Sequence, residues 1–177
     1  MNAPFWELLN VMYFKIISYF KFLLKSTNQH GVHSPFVFNF VTKCLYSKKR
    51  FHKDRGINVL LKSIEYFHFK NIQITTDSET ALLVKRNFPD LNFDGKVLDL
   101  LFVDQIDPKG FLKWVSEGKL HNDSMVLVDG IYENVQKNEA WNTLIALPQI
   151  TVSMDMYHCG AIFIRKEQVK EHFTIRI

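Results

Sequence analysis

The chain has 177 residues, of which 47% are hydrophobic and 23% are charged, and this length and composition favour one folded domain and exclude a disordered chain. The net charge of +4 is unevenly placed: residues 1–56 carry nine Lys or Arg against two acids (+7), and residues 57–177 carry thirteen against sixteen (−3). A basic N-terminal segment indicates docking onto an anionic surface or onto another subunit. The alternative is that its Lys and Arg side chains only solvate exposed helix faces. The two cysteines, Cys44 and Cys159, form no disulfide framework or zinc pattern, so we expect a reducing, cytoplasmic compartment.

The first predicted element is a long helix over Pro4–Leu24. Its polar residues form one narrow stripe on an otherwise apolar helix, which favours an amphipathic helix over a transmembrane span or a signal peptide; the stripe consists of Glu7, Asn10, Lys15, Ser18, Lys21 and Lys25. The wide apolar face must be covered by the body, a partner subunit or a membrane surface. We expect a homodimer through this helix, with a membrane surface as the competing account, and no nucleic-acid partner.

Further along the chain, a helical segment gives way to alternating strands and helices. Ser34-Pro35 is typical of a helix start, and helices are predicted over Phe36–Leu45 and Ile57–His68. From residue 71, apolar runs of strand length alternate with amphipathic helices, which predicts parallel βαβ units. Two closing strands follow, with Gly160 expected in the turn between them, and the tail Phe173–Ile177 alternates like a further strand. We therefore predict a helical N-terminal arm at 1–56 and a mostly parallel α/β domain at 57–177.

Acidic and hydroxyl side chains follow the predicted strands. Asp104 and Asp129 each end a buried strand, and the first strand runs into Thr76, Asp77 and Ser78. Because ligands bind beyond the carboxyl ends of parallel strands, these positions converge on one predicted crevice. Two carboxylates there can bind a divalent cation or orient a hydroxyl substrate. The alternative is that both are loop acids that bond to helix N-termini.

The first strand-to-helix turn lacks the glycines that a nucleotide-type site needs for close approach of the backbone. Thr76-Asp77-Ser78-Glu79 instead matches a capping box, in which Thr76 and Glu79 satisfy the free N–H groups of the next helix. The turn therefore predicts a pocket that the chain closes with its own side chains.

Two separate stretches resemble a known family. The first is His30–Phe38, and the second comprises, in order, Val128–Tyr132, Ala140-Trp141, Gly160–Arg165 and Glu167–Phe173. Together they resemble bacterial S-adenosylmethionine-dependent O-methyltransferase-like proteins of class I, known chiefly from Bacteroidetes. The resemblance implies a seven-stranded Rossmann-like sheet behind a helical arm, and it implies S-adenosylmethionine at Thr76, Asp77 and Ser78. In cation-dependent relatives, the positions of Asp104 and Asp129 supply metal ligands and take part in catalysis.

The chain departs from this family between residues 71 and 97. Relatives place a glycine-rich turn and two further strands there, whereas this segment has room for one helix. Our leading hypothesis is a truncated, degenerate methyltransferase-like protein that does not bind S-adenosylmethionine in the usual way and acts through binding or assembly. The alternative is an active O-methyltransferase, assisted by a divalent cation at Asp104 and Asp129, that acts on a small hydroxylated substrate.

Overall fold

The computed structural model of the protein describes residues 5–177, so Pro4, at the predicted start of the first helix, lies outside the described residues. The helices are α1 Phe5–Lys25, α2 Pro35–Asn39 with a π-helical continuation Phe40–Leu45, α3 Arg55–Phe67, α4 Ser78–Asn87, α5 Pro108–Ser116 and α6 Val135–Ile145, with a 3₁₀ turn at Gln29–Gly31. The strands are β1 Ile72–Ile74, β2 Leu98–Val103, β3 Leu120–Asp129, β4 Val152–Asp155, β5 Cys159–Phe163 and β6 Glu171–Thr174. No helix among residues 5–177 is long and apolar enough to cross a membrane.

The strands form one six-stranded sheet in the order β1-β2-β3-β5-β4-β6. The pairs β1–β2, β2–β3 and β4–β6 are parallel, and β5 runs antiparallel to both of its neighbours. Strands β1 and β2 pair directly and are joined by α4 alone. Removing the second and third strands from a doubly wound order 3-2-1-4-5-6 makes strands one, four and five neighbours, as β1, β2 and β3 are here. The predicted fold is confirmed: a truncated, Rossmann-like, mostly parallel α/β sheet with a helical N-terminal arm.

Helices cover both faces of the sheet. On one face, α3 and the π-helical turn pack against β2 and β3, with Phe40 and Leu60 fully buried. On the other face, α5 and α6 contribute Phe111 and Trp141 to a second core. Because residues of α2 and its continuation share the first core with the strands, only α1 stands apart. The division at residues 56 and 57 falls inside the first turn of α3 and stays a prediction.

One expectation about the end of the chain was wrong, because Gly160 does not lie in the turn between the two closing strands. The turn between β4 and β5 is Met156–His158, where Tyr157 adopts a left-handed φ of 66°, and Gly160 lies inside β5. A Cβ at Gly160 would lie 2.4 Å from Cη2 of Trp141, so glycine is required there because a buried ring crosses the strand.

The tail strand β6 does not cover the sheet edge that the shortened connection leaves beside β1. It pairs with β4 at the opposite edge. The first residue of β1 is bonded instead by the loop after α4, where the Ile72 N–H donates to the Asn92 carbonyl at 2.9 Å. A local loop reaches this edge with less loss of chain entropy than the distant tail.

Candidate functional site

A cavity of about 350 Å³ lies beyond the carboxyl end of β3. It is enclosed by α1, by the start of α3 and by the turn between β4 and β5; its lining residues are Lys15, Asp54, Gly56, Asp129, Gly130, Tyr132, Glu133, Tyr157 and His158. This position is where open α/β sheets bind their ligands. We refer to it as the carboxyl-end cavity.

Asp129, the last residue of β3, is the central acid of this cavity. The first turn of α3 packs against it so closely that a Cβ at Gly56 would lie 2.2 Å from Oδ1 of Asp129. Burial raises the pKa of the Asp129 carboxyl to about 6, and the neighbouring Asp54 charge adds to this effect. A carboxyl group with this pKa can accept and release a proton near neutral pH.

Two tyrosines form the wall of the cavity next to α1. The rings of Tyr132 and Tyr157 stack with centroids 4.8 Å apart. The Tyr132 hydroxyl donates to Oδ2 of the buried Asp155 at 2.7 Å, and the Tyr157 hydroxyl donates to the Lys15 carbonyl at 2.8 Å. Burial, followed by the charge of Arg55, lowers the pKa of His158 in the same wall.

The first strand-to-helix turn is closed, but by a different residue from the one expected. Asp77, not Thr76, is the N-cap of α4: its carboxylate accepts the Thr80 N–H at 2.6 Å and the Thr80 hydroxyl at 2.8 Å. These bonds, led by the Thr80 N–H, lower the pKa of Asp77. Asp carries its acceptor oxygens close to the backbone, so it caps α4 without the reciprocal bond from Glu79. Thr76 is half-buried ahead of the cap, and Ser78 is the exposed first residue of α4.

The predicted site residues are not brought together. Asp129 lines the carboxyl-end cavity, whereas Asp104 is exposed after β2 and does not line it. Asp77 lines a separate cavity of about 580 Å³ beside α3 and α4, to which Asp54 also contributes. Among residues 5–177, no group of three or more His, Cys, Asp or Glu side chains is placed to hold a metal ion. The structure therefore gives no support to the cation site expected at Asp104 and Asp129.

Several cavity residues escaped the sequence analysis. Lys15, Gly56 and Tyr157 come from three distant parts of the chain, and no local motif connects them. His158 lies in the turn before β5. The only sequence signal that Tyr157 and His158 belong to the cavity is a tight turn after Asp155, because residues in such turns point back over the strand ends.

The sheet order defines a Rossmann-like α/β protein with a shortened first half. No family model matches the chain, and no curated protein matches it. Among solved structures, it is similar to the crystal structure of a candidate caffeoyl-CoA O-methyltransferase from Staphylococcus aureus, with 15% identity and a TM-score of 0.42, covering 77% of this chain and 94% of that one.

Proposed function

We propose that this chain is a degenerate methyltransferase-like protein that does not bind S-adenosylmethionine in the usual way and acts through binding or assembly. The observation that carries the proposal is the capped start of α4, where the Asp77 carboxylate accepts both the N–H and the hydroxyl of Thr80. In Rossmann-like sites, the free N–H groups of this helix N-terminus and a glycine turn are what the ligand contacts. Here a side chain already occupies that position.

Two further features support the same proposal. Strands β1 and β2 pair directly, and among residues 5–177 no strand lies on the other side of β1 to carry the adenosine half of a site. The start of α3 packs onto Asp129, which reduces the space beyond β3 to the carboxyl-end cavity. The residues present therefore do not fit the cofactor pose that the family resemblance implies, and no reaction step is derived through it.

The direct test is calorimetry of the full chain with S-adenosylmethionine and with S-adenosylhomocysteine, paired with thermal unfolding in the same buffer. We expect no heat of binding and no change in Tm. A ligand at about 100 times its Kd would add about 2.7 kcal/mol of stability, or roughly 5–10 °C in a chain of this size. Micromolar binding of either compound, or a shift of that size, overturns the proposal.

A second candidate function is methyl transfer to a small hydroxylated molecule in the carboxyl-end cavity. The observation that favours it is the half-buried Asp129, whose carboxyl pKa is raised to about 6, first by burial. Such a group can take the proton from a bound substrate hydroxyl near neutral pH. This reading predicts that Asp129→Ala abolishes turnover of a hydroxylated substrate and that Asp104→Ala leaves it nearly unchanged. Equal loss in both variants would instead indicate the cation-assisted pair.

A further inference from the structure

Helix α1 is attached to the rest of the protein by one side only. Ser18 and Phe22 are its buried positions. The Phe22 ring lies 5.4 Å from that of Tyr157, and the Tyr19 ring lies 4.9 Å from the same tyrosine. With the Tyr157 hydroxyl bond to the Lys15 carbonyl, these contacts fix which side of α1 faces the body.

The side that faces the body carries Ser18, Lys21 and Lys25 of the polar stripe, together with Phe14, Ile17 and Phe22. Lys15 lines the carboxyl-end cavity, where its charge helps to lower the pKa of Glu133 after the stronger effect of the Lys137 hydrogen bond. Lys21 and Lys25 line a second cavity of about 300 Å³ that contains the buried Asp155. The lysines of α1 are therefore turned toward carboxylates of the chain itself.

The opposite side of α1 carries the apolar face, and it is exposed. Between 48% and 88% of each of its large side chains is accessible; these residues are Leu8, Met12, Tyr13, Ile16, Phe20 and Leu24. We call this surface the outer face of α1. An apolar patch of this extent on a soluble surface marks a site of association.

We propose that the outer face of α1 is the interface with a second copy of this chain, packed helix against helix around a two-fold axis. At about 150–250 Å² for a large side chain, these exposed fractions amount to roughly 800 Å², which is the area that each partner of a stable complex buries. A two-fold contact also needs a surface that can pack against itself, and a uniformly apolar helix face meets this requirement.

The charges favour a second copy over a membrane surface. Helices that lie in a membrane interface carry basic residues along the border of the apolar face, where the headgroups lie. On α1, the charges of Lys15 and Lys25 act instead on Glu133 and Asp155 of the same chain.

The test compares the oligomeric state of the full chain with that of Ile16→Glu and Phe20→Glu, by sedimentation velocity without detergent. The matched control is Leu82→Glu on α4, because Leu82 is 57% exposed and Phe20 is 61% exposed. We expect a dimer for the wild type and for Leu82→Glu. In both α1 variants, we expect the dissociation constant of the dimer to rise at least about 30-fold. Near-UV circular dichroism checks the fold, and two variants are used so that unfolding of one leaves the other as the test.

A monomeric wild type, or α1 variants that dimerise as well as the control, overturns the inference. Flotation with vesicles that contain anionic phospholipid is run in parallel, and a monomer that floats with them would assign the outer face to a membrane. The inference rests on the proposed assembly role, but separate results would contradict the two. A dimer that binds S-adenosylmethionine would contradict only the proposed function. A monomer that binds no cofactor would contradict only this interface.

Discussion

Helices α1 and α3 are both amphipathic, yet they use their apolar faces in opposite ways. Helix α3 turns Val59, Leu60 and Ile64 into the core, where each is at most 2% exposed. Helix α1 turns Phe22 and part of its polar stripe toward the body and leaves Ile16 and Phe20 outside. Amphipathicity thus predicts which face of a helix must be covered, but not what covers it.

The difference has a physical cause in what each helix meets on the body. Helix α3 lies over the apolar side chains of the sheet, so its greasy face has a complementary surface. Helix α1 crosses the carboxyl end of the sheet, where Glu133 and Asp155 lie, and lysines match these groups better than leucines do. The apolar face of α1 is then left for another molecule.

The largest expected effect is the difference in the free energy of unfolding lost when one apolar side chain of α3 and one of α1 are truncated. Leu60→Ala removes a fully buried side chain of α3 and should lower the free energy of unfolding by about 2–5 kcal/mol. Leu24→Ala, at a site 88% exposed on α1, should change it by less than about 0.5 kcal/mol in dilute protein. Urea unfolding monitored by circular dichroism measures both, and equal losses would break the comparison.

The next effect concerns how tightly α3 packs on the strand end. Because the folded-state pKa of Asp129 is raised to about 6, mainly by burial and then by Asp54, the folded chain holds a proton that the unfolded chain releases above about pH 4. The contribution of Asp129 to the free energy of unfolding should therefore fall as pH rises from about 4 to 6. Asp129→Asn should be more stable than the wild type by about 1–3 kcal/mol above that window and similar below it.

The control for this prediction is Asp104→Asn, since Asp104 is exposed. It should shift stability by no more than about 0.5 kcal/mol at either end of the pH range. Thermal unfolding at several pH values measures both variants. If Asp129→Asn follows the wild type at every pH, α3 does not desolvate this carboxyl group.

A smaller effect tests the same contact sterically. A Cβ at Gly56 would lie 2.2 Å from Oδ1 of Asp129, and that oxygen can move only as far as the cavity allows. Gly56→Ala should therefore cost about 1 kcal/mol, despite the helix propensity of alanine. In an Asp129→Ala background, the same change should be neutral or stabilising. The coupling energy of this double-mutant cycle is the measured quantity, and additivity would show that α3 and Asp129 do not touch.

Most of the sheet could be predicted from the sequence because its signals are local. The buried run Leu98–Val103 is read from a few neighbouring residues. The capping box predicted at Thr76 was wrong because Thr76 and Asp77 are adjacent and both can cap a helix. Only the backbone geometry selects which of them caps α4. The position of Gly160 was wrong because its partner, Trp141, lies far away along the chain.

The candidate site was less predictable, because it depends on long-range packing. Strand-end position correctly indicated Asp129, but it could not exclude Asp104, which follows the neighbouring strand and does not line the cavity. Lys15 and Gly56 enter the cavity only because α1 and α3 cross the carboxyl end of the sheet. No spacing in the sequence encodes those crossings, since each depends on contacts with residues more than 70 positions away.

The smallest effect tests how weakly α1 is attached. Tyr157→Phe keeps the ring contacts with Tyr19 and Phe22 and removes only the hydroxyl bond to the Lys15 carbonyl. Because this bond is exposed, its loss should cost about 0.5 kcal/mol, and it should act on the docking of α1 rather than on global unfolding. Amide hydrogen exchange in the middle of α1 should become about two- to threefold faster. Tyr46→Phe is the matched control, because its hydroxyl donates in the same way to the Arg176 carbonyl at 2.9 Å, away from α1. Faster exchange throughout the core in Tyr157→Phe would mean that α1 unfolds together with the sheet, and the contrast between α1 and α3 would then be one of orientation alone.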